Sequence, residues 1–410
     1  MKRTIKLAVV AALALGATSA FATNGSTMIG VGAKSRAMGG TGIGVGHGAE
    51  SALANPAMIT TIKGNNEVSF GGTVFMPDVE NTNNVGMGAQ VEESEADFFV
   101  IPSVSLASKL NDNFYWGIGM WGTGGLGVDY RDGAAATDMQ FNMVTALQTM
   151  QFAVPLAYTT NGFSVAFSPI VQYSSLDINY DSTALGGGDN GAGVSQDVAL
   201  GYNLGLAYET DGITVGAVYK SEIKFDIDDV LNNAMAGFLG AGTYTQDEMA
   251  TPSEYGIGAS YTTSGHTIAL DWRHINWEDA EVYKDFGWED QDAIAVGYEY
   301  ATDGWALRAG YQYAEGAVQD NTGKNLAIDV AAQGAGMAEL TNTLNMLGFP
   351  GTQESHVTLG GTYVFNETLS LDLTAVFGLE NTETFGNFAG QDITTKHSEQ
   401  GYTVQLNYAF

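Results

Sequence analysis

The sequence predicts an all-β protein: a transmembrane up-and-down antiparallel β-barrel of about fourteen strands, with its N-terminal stretch held as a plug inside the lumen. Three observations lead there. The chain ends in a strand of strict alternation. Short turns and long acidic connections take turns along most of its length. No stretch beyond residue 22 has about twenty consecutive apolar residues, so membrane-crossing helices are not expected.

Composition narrows the classes. The 410 residues carry 46 acidic and 15 basic side chains, a net charge of −31, with 54 glycines, 7 prolines and no cysteine. Such acidity opposes nucleic acid or any other polyanion as a partner. Without cysteine there is no disulfide scaffold and no thiol chemistry. The first residues read as an address. Lys2, Arg3 and Lys6 form a basic start, Leu7 to Leu15 an apolar run too short to span a bilayer, and Ala20-Phe21-Ala22 a cleavage signal. The expected division is a signal peptide over 1–22, a plug or hatch over 23–62 and a barrel over 63–410, in a bacterial outer membrane.

The stretch from Asn24 to Ala57 is too glycine-rich for a stable helix, and its apolar residues do not alternate as a half-buried strand requires. It still holds Met28, Ile29, Val31, Met38, Ile43, Val45 and Leu53, enough apolar surface to need a host. It ends in Asn55-Pro56-Ala57, where proline fixes its own φ and restricts the residue before it. This reads as a compact insert inside whatever the later segments build.

Strands are expected near 66–76, 97–109, 113–122, 150–160, 163–176, 197–210, 212–226, 252–263, 266–276, 290–302, 304–316, 354–365, 368–381 and 398–410. Most have the length of a tilted membrane strand. The third, Tyr115 to Gly125, is dense in glycine, with Gly117, Gly119 and Gly122 inside it. Glycine within a strand marks a bulge, a bend or a close backbone approach. In the last strand Tyr402, Val404, Leu406, Tyr408 and Phe410 share one face, and Thr403, Gln405, Asn407 and Ala409 the other. A terminal phenylalanine closing such a strand resembles the signal that barrel-assembly machinery recognises.

Several connections are short: Thr160-Asn161-Gly162, Thr210-Asp211-Gly212, Thr263-Ser264-Gly265, Thr302-Asp303-Gly304 and Asn366-Glu367. Asn-Gly and Asp-Gly between alternating runs signal hairpins. Those over 77–96, 123–149, 177–196, 227–251, 277–289, 317–353 and 382–397 are long. Short turns inside and long loops outside orient a bacterial barrel. The faces agree. Ile268, Leu270 and Trp272 oppose Asp271 and Arg273; Trp305, Leu307, Tyr311 and Tyr313 oppose Arg308 and Gln312. Val215, Tyr219, Ile223 and Phe225 oppose Lys220, Glu222, Lys224 and Asp226. The charges Lys220, Arg273 and Arg308 therefore belong in the lumen.

The long loops are unusually apolar. Met139, Phe141, Met143, Val144, Leu147 and Met150 lie at helix-like spacings in the second. Val230, Leu231, Met235, Phe238 and Leu239 do so in the fourth. Leu326, Ile328, Val330, Met337, Leu340, Leu344, Met346 and Leu347 do so in the sixth. Methionine suits a site that accepts varied apolar molecules. Phe141, Met143, Val144, Leu147, Leu231, Met235, Phe238 and Leu239 are thus candidates for a ligand groove.

Several motifs together resemble the FadL family of outer-membrane transporters for long-chain fatty acids and other hydrophobic compounds. They are Asn24-Gly25, Gly32-Ala33-Lys34-Ser35-Arg36-Ala37-Met38-Gly39-Gly40 and Asn55-Pro56-Ala57. With them go Tyr219-Lys220-Ser221, Thr251 to Gly258, Leu270-Asp271-Trp272 with Trp277, and Leu307 to Tyr313. The resemblance implies a fourteen-stranded barrel and a passive route. A fatty acid or hydrocarbon lands among the extracellular loops and moves to a pocket near the mature N-terminus. It leaves sideways into outer-membrane lipid where the third strand kinks, once the hatch around Asn55, Pro56 and Ala57 shifts. No cofactor, metal or enzymatic chemistry is implied. A carboxylate ligand would want a cation. The candidates are Arg131, Lys284 and Lys324 in the loops and the three lumen charges. The alternative reading is a general water-filled porin, which needs neither a glycine-rich plug nor apolar loops.

Other signals are weaker. Gly117-x-Gly119-x-x-Gly122 matches a dinucleotide fingerprint but no helix pattern follows it. The acidic groups around Glu92 and around Asp226 lack a complete calcium-loop pattern.

Overall fold

The computed structural model describes residues 23–131, 138–240, 242–326 and 337–410. The proposed signal peptide lies outside them.

Fourteen antiparallel strands close into a barrel. They are β1 (Asn66–Asn83), β2 (Phe99–Lys109), β3 (Phe114–Asp129), β4 (Val144–Ala153 continued by Leu156–Thr160), β5 (Phe163–Asp181), β6 (Ser195–Thr210) and β7 (Ile213–Lys220). The second half is β8 (Glu254–Thr263), β9 (His266–Ile275), β10 (Gln291–Ala301), β11 (Trp305–Ala314), β12 (Ser355–Val364), β13 (Leu369–Gly386) and β14 (Asp392–Ala409). Each pairs with the next. β14 closes the ring on β1, from Ala409 against Glu67 to Ile393 against Asn83.

Local chemistry explains the short turns. Asn161-Gly162, Asp211-Gly212 and Ser264-Gly265 all have positive φ at both central residues. That backbone matches the twist of the flanking strands, and Asn, Asp and Gly tolerate it best. Alternation explains the wall. Tyr202, Leu204, Leu206 and Tyr208 of β6 are exposed on the outside, as are Tyr402, Val404, Leu406 and Tyr408 of β14. The residues between them turn inward: Thr403, Gln405, Asn407, Asp271, Arg273, Arg308 and Gln312 are all buried.

The structure corrects the expected pattern in two places. Among its described residues the second connection holds no helix, because β3 runs on to Asp129 and β4 starts at Val144. Phe141, Met143 and Leu147 are buried on one side, whereas Val144 points the other way and joins no apolar cluster. In addition, the strand expected over 212–226 breaks after Lys220. Residues Ile223–Asp226 leave the wall and form a separate hairpin with Glu248–Thr251. The break reverses the faces: Ile223 and Phe225 are buried, and Lys224 and Asp226 are exposed.

The described residues also hold four α-helices, α1 (Ala33–Ala37), α2 (Ser51–Ala54), α3 (Val230–Leu239) and α4 (Ala338–Gly348), and three short 3-10 helices, Gly48–Glu50, Pro56–Thr61 and Thr183–Leu185. Helices α3 and α4 lie in the fourth and sixth connections, where apolar spacing predicted helices. Ile328 and Val330 lie outside the described residues. With Phe141, Met143, Leu147 and the loop after β9, α3 and α4 build one continuous apolar cluster.

Candidate functional site

The N-terminal residues are held by the inward face of the wall. The Asp271 carboxylate accepts the backbone N–H groups of Gly42 (2.7 Å), Ile43 (2.8 Å) and Gly44 (3.2 Å). Glycine at 44 lets that backbone approach β8 closely, since a Cβ there would come within 2.3 Å of Ala259 N. Thr374 donates to Ala33 O (2.7 Å), and Thr358 donates to Ala37 O (3.0 Å) and accepts Gly39 N–H (2.9 Å). Asn55 is fully buried. Its Nδ2 donates to Ile43 O (2.9 Å) and Leu206 O (3.1 Å), and its Oδ1 accepts Ala57 N–H (3.1 Å) at the turn that Pro56 starts.

Glu50 ties the segment to itself. Its carboxylate accepts the N–H groups of Lys34 and Ser35, both at 3.0 Å, at the start of α1. Burial pushes its carboxyl up to about 7, against the pull of Lys34. Burial pushes His47 down to about 4, so its ring is neutral near pH 7, with Nε2 2.9 Å from Thr41 O.

The wall opens beside these residues. β3 pairs with β2 only from Tyr115 to Trp121, although it continues to Asp129. A bulge follows: Gly122 faces Met150 and Gly124 faces Thr149, so Thr123 is an extra residue. Such a bulge bends a strand and ends pairing on one side. The freed edge is taken up by the N-terminus. Thr27 pairs with Gly124, and Gly125 N–H donates to Ser26 O (2.9 Å). A Cβ at Gly124 would come within 2.6 Å of Ser26 O. The interval between Phe99–Pro102 of β2 and the upper part of β3 therefore has no ladder. Met28 and Ile29 fill it, packed with Phe75, Phe99, Ile101 and Val376. Gly117 abuts Leu106 O and Pro155, and the Trp121 ring folds over Gly119.

Two cavities meet at this point. One, of about 80 Å³, is lined by Thr27 to Ile29, Thr123, Leu147, Lys220, Ile223 and Arg273, and reaches Tyr283. The other, of about 30 Å³, lies in the apolar loop cluster. Leu176, Leu231, Met249, Val282, Phe286, Trp288 and Phe349 line it with Asn345, and it too reaches Tyr283. No charged group borders the second. Tyr283 stands between them, with its OH 3.0 Å from Ser26 Oγ. It packs with Trp277 and Trp288 at ring-centroid distances of 4.7 and 4.6 Å. This trio closes on Gly25, where a Cβ would come within 2.7 Å of the Trp277 ring.

The predicted residues divide accordingly. Phe141, Met143, Leu147, Leu231 and Met235 belong to the loop cluster, and Phe238 and Leu239 pack against it. Of these, Leu147 borders the first cavity and Leu231 the second. Lys220 and Arg273 share Glu254, at 2.9 and 3.5 Å, and Arg308 lies 2.6 Å from Glu299. The loop cations are likewise paired. Arg131 sits on Asp129, Lys284 on Glu281 (2.5 Å) and Lys324 on Glu289 (2.6 Å). Sequence reasoning missed the trio of Trp277, Tyr283 and Trp288 as a site. The signal available was the unusual density of aromatic residues between 277 and 288.

Comparisons with known proteins agree with this architecture. A family profile described as "Outer membrane protein transport protein (OMPP1/FadL/TodX)" matches residues 7–330. An uncharacterized protein encoded upstream of a phosphoenolpyruvate carboxykinase gene in Chlorobium limicola is 42% identical over 85 residues. That match covers 20% of this chain and only 42% of the relative's length. The toluene transporter TodX of Pseudomonas putida superposes with a TM-score of 0.66 at 19% identity, covering 95% of this chain and 100% of that one. A FadL homologue of Pseudomonas aeruginosa gives 0.69 at 14% identity, covering 94% and 100%. The toluene transporter TbuX of Ralstonia pickettii gives 0.65 at 16% identity, covering 93% and 98%. The chain belongs to the OMPP1/FadL/TodX family of outer-membrane transport proteins.

Proposed function

We propose that this protein carries neutral hydrophobic molecules passively, releasing them sideways through the break beside β3, with residues 23–62 acting as the hatch. The observation that carries this reading is the pair of adjoining spaces. A charge-free cavity in the loops adjoins, across Tyr283, a second cavity that ends at Met28 and Ile29 in the unpaired wall. A greasy molecule on this route stays out of water, which is worth roughly 0.8 kcal/mol per buried CH₂. A shift of Ser26 to Ile29 would unblock the wall, and the ties from Asp271 and Asn55 would set how readily the rest of the segment follows.

Hydrocarbon is favoured over a fatty-acid anion. A carboxylate must find a cation to replace its water. Arg131, Lys224, Lys284 and Lys324 in the described loops, and Lys396 in β14, each already sit on Asp or Glu. The surrounding acidity adds repulsion. The amphipathic last strand, ending at Phe410, is the proposed contact for barrel-assembly machinery.

Single-channel recording in a planar bilayer separates this function from a porin. The expected result is no steady open-channel current from folded protein at neutral pH. A constant current of ions would replace the hatched path by an aqueous pore.

A further inference from the structure

The wall is interrupted a second time, between β6 and β7. β6 pairs with β5 from Ser195 against Leu176 to Tyr208 against Phe163. On its other edge the ladder with β7 begins only at Asn203 against Lys220. Beyond that point β7 has ended, and its continuation, Ile223–Asp226, pairs only within its own hairpin. Two ties bound the interval. At one end Ser221 N–H donates to Tyr202 O (2.9 Å) and Tyr202 N–H donates to Ser221 Oγ (3.0 Å). At the other, Asp226 N–H donates to Asp197 Oδ2 (3.0 Å). Between them no ladder joins Val198–Gly201 to Glu222–Phe225.

One side chain closes this seam. Gly201 turns inward, and a Cβ there would come within 2.5 Å of Ile223 Cδ1, so the Ile223 side chain occupies the notch. Outside, Leu200 is 77% exposed, more than any other large apolar side chain among the described residues. Inside, Ile223, Ser221 and Phe225 line the same cavity that touches Thr27 to Ile29. An open strand edge is disfavoured in lipid, which offers its N–H and C=O groups no partner. Here the edge stands between an exposed leucine and an internal cavity.

We propose that the seam is a second lateral port, through which a neutral hydrocarbon already dissolved in the outer leaflet enters the cavity without crossing the loops. This rests on the transport reading above and deepens it. Apolar molecules partition into acyl chains spontaneously. Opening the seam requires the Ile223 side chain to swing away but breaks no ladder hydrogen bond. Parting two fully paired strands would instead break a hydrogen bond at every ladder step.

The test uses the absence of cysteine in the chain. Gly201→Cys combined with Ile223→Cys places one disulfide across the seam. Uptake of labelled toluene is measured in cells lacking other transporters, with the pair oxidised and then reduced. The port predicts an initial rate lower by about threefold or more when oxidised, restored on reduction, as for a blocked gate. Equal rates in the two states overturn the port and leave the transport reading standing. No protein-dependent uptake in the reduced state overturns the transport reading and the port with it. Ile223→Trp, which fills the notch without a crosslink, should also slow uptake. If the cysteine pair fails to form or fold, an unchanged rate in folded Ile223→Trp overturns the port.

Discussion

Three backbone N–H groups, from Gly42, Ile43 and Gly44, converge on the single carboxylate of Asp271. Asp271→Ala leaves those donors buried without a partner, at a cost of about 1–3 kcal/mol for each group not rescued by water. Asn55→Ala removes three more bonds and should act in the same direction. In both variants residues 24–62 should become sensitive to protease while the folded barrel still runs as a compact band on a gel, and uptake should fall. Protection equal to that of the native protein would show that these ties do not hold the segment. Glu50 adds a pH dependence. Its carboxyl is raised by burial from an ordinary 4.5 to about 7. The folded state therefore binds the proton more tightly, and stability falls as pH rises from about 4.5 to about 7. His47, pushed down by burial from 6.5 to about 4, acts in the opposite direction over nearly the same window. In Glu50→Gln only the histidine contribution remains, so protease cleavage of the segment should slow as pH rises from about 4 to about 6.5, more than in the native protein. A variant profile identical to the native one would contradict this. Sequence reading found Asn55, Pro56 and Ala57 from turn chemistry. It could not find Asp271 as an anchor, because that role depends on contact across more than two hundred residues.

The bulge in β3 is the element on which the proposed lateral release would depend. Deleting Thr123 restores a regular register against β4 and lets upper β3 pair with β2. Uptake should drop to the level of cells without the protein, with the barrel folded. Normal uptake would move the exit elsewhere. The glycine density of this strand was legible in the sequence; which glycines flank the bulge was not. The misread second connection has a simple cause. Met143 and Leu147 are four apart, and four residues return to the same face in a strand as well as in a helix. Met139 and Phe141 lie in a turn ahead of β4, where Phe141 and Asn142 have positive φ. The reversal after Lys220 had no local signal, since Ser221-Glu222 carries no proline or glycine to mark the break. Helices α3 and α4 were legible from their apolar spacing. The aromatic trio was not, because the Gly25 backbone brings it to the N-terminus.

For the whole molecule, the barrel was the most legible feature: alternation, hairpin turns and the last strand all follow from local chemistry. Charge is the global property that separates substrates. The net charge of −31 and the pairing of loop cations with carboxylates disfavour an anionic ligand, so toluene should enter faster than oleate through the same protein. The account rests on a route that is open to neutral molecules. The most direct test is the initial rate of labelled toluene uptake at neutral pH by cells lacking their own hydrocarbon and fatty-acid transporters, with and without this protein. The account predicts uptake that depends on the protein and exceeds that of oleate. A rate no different from cells without it, with the barrel shown to be folded in the outer membrane, would contradict it.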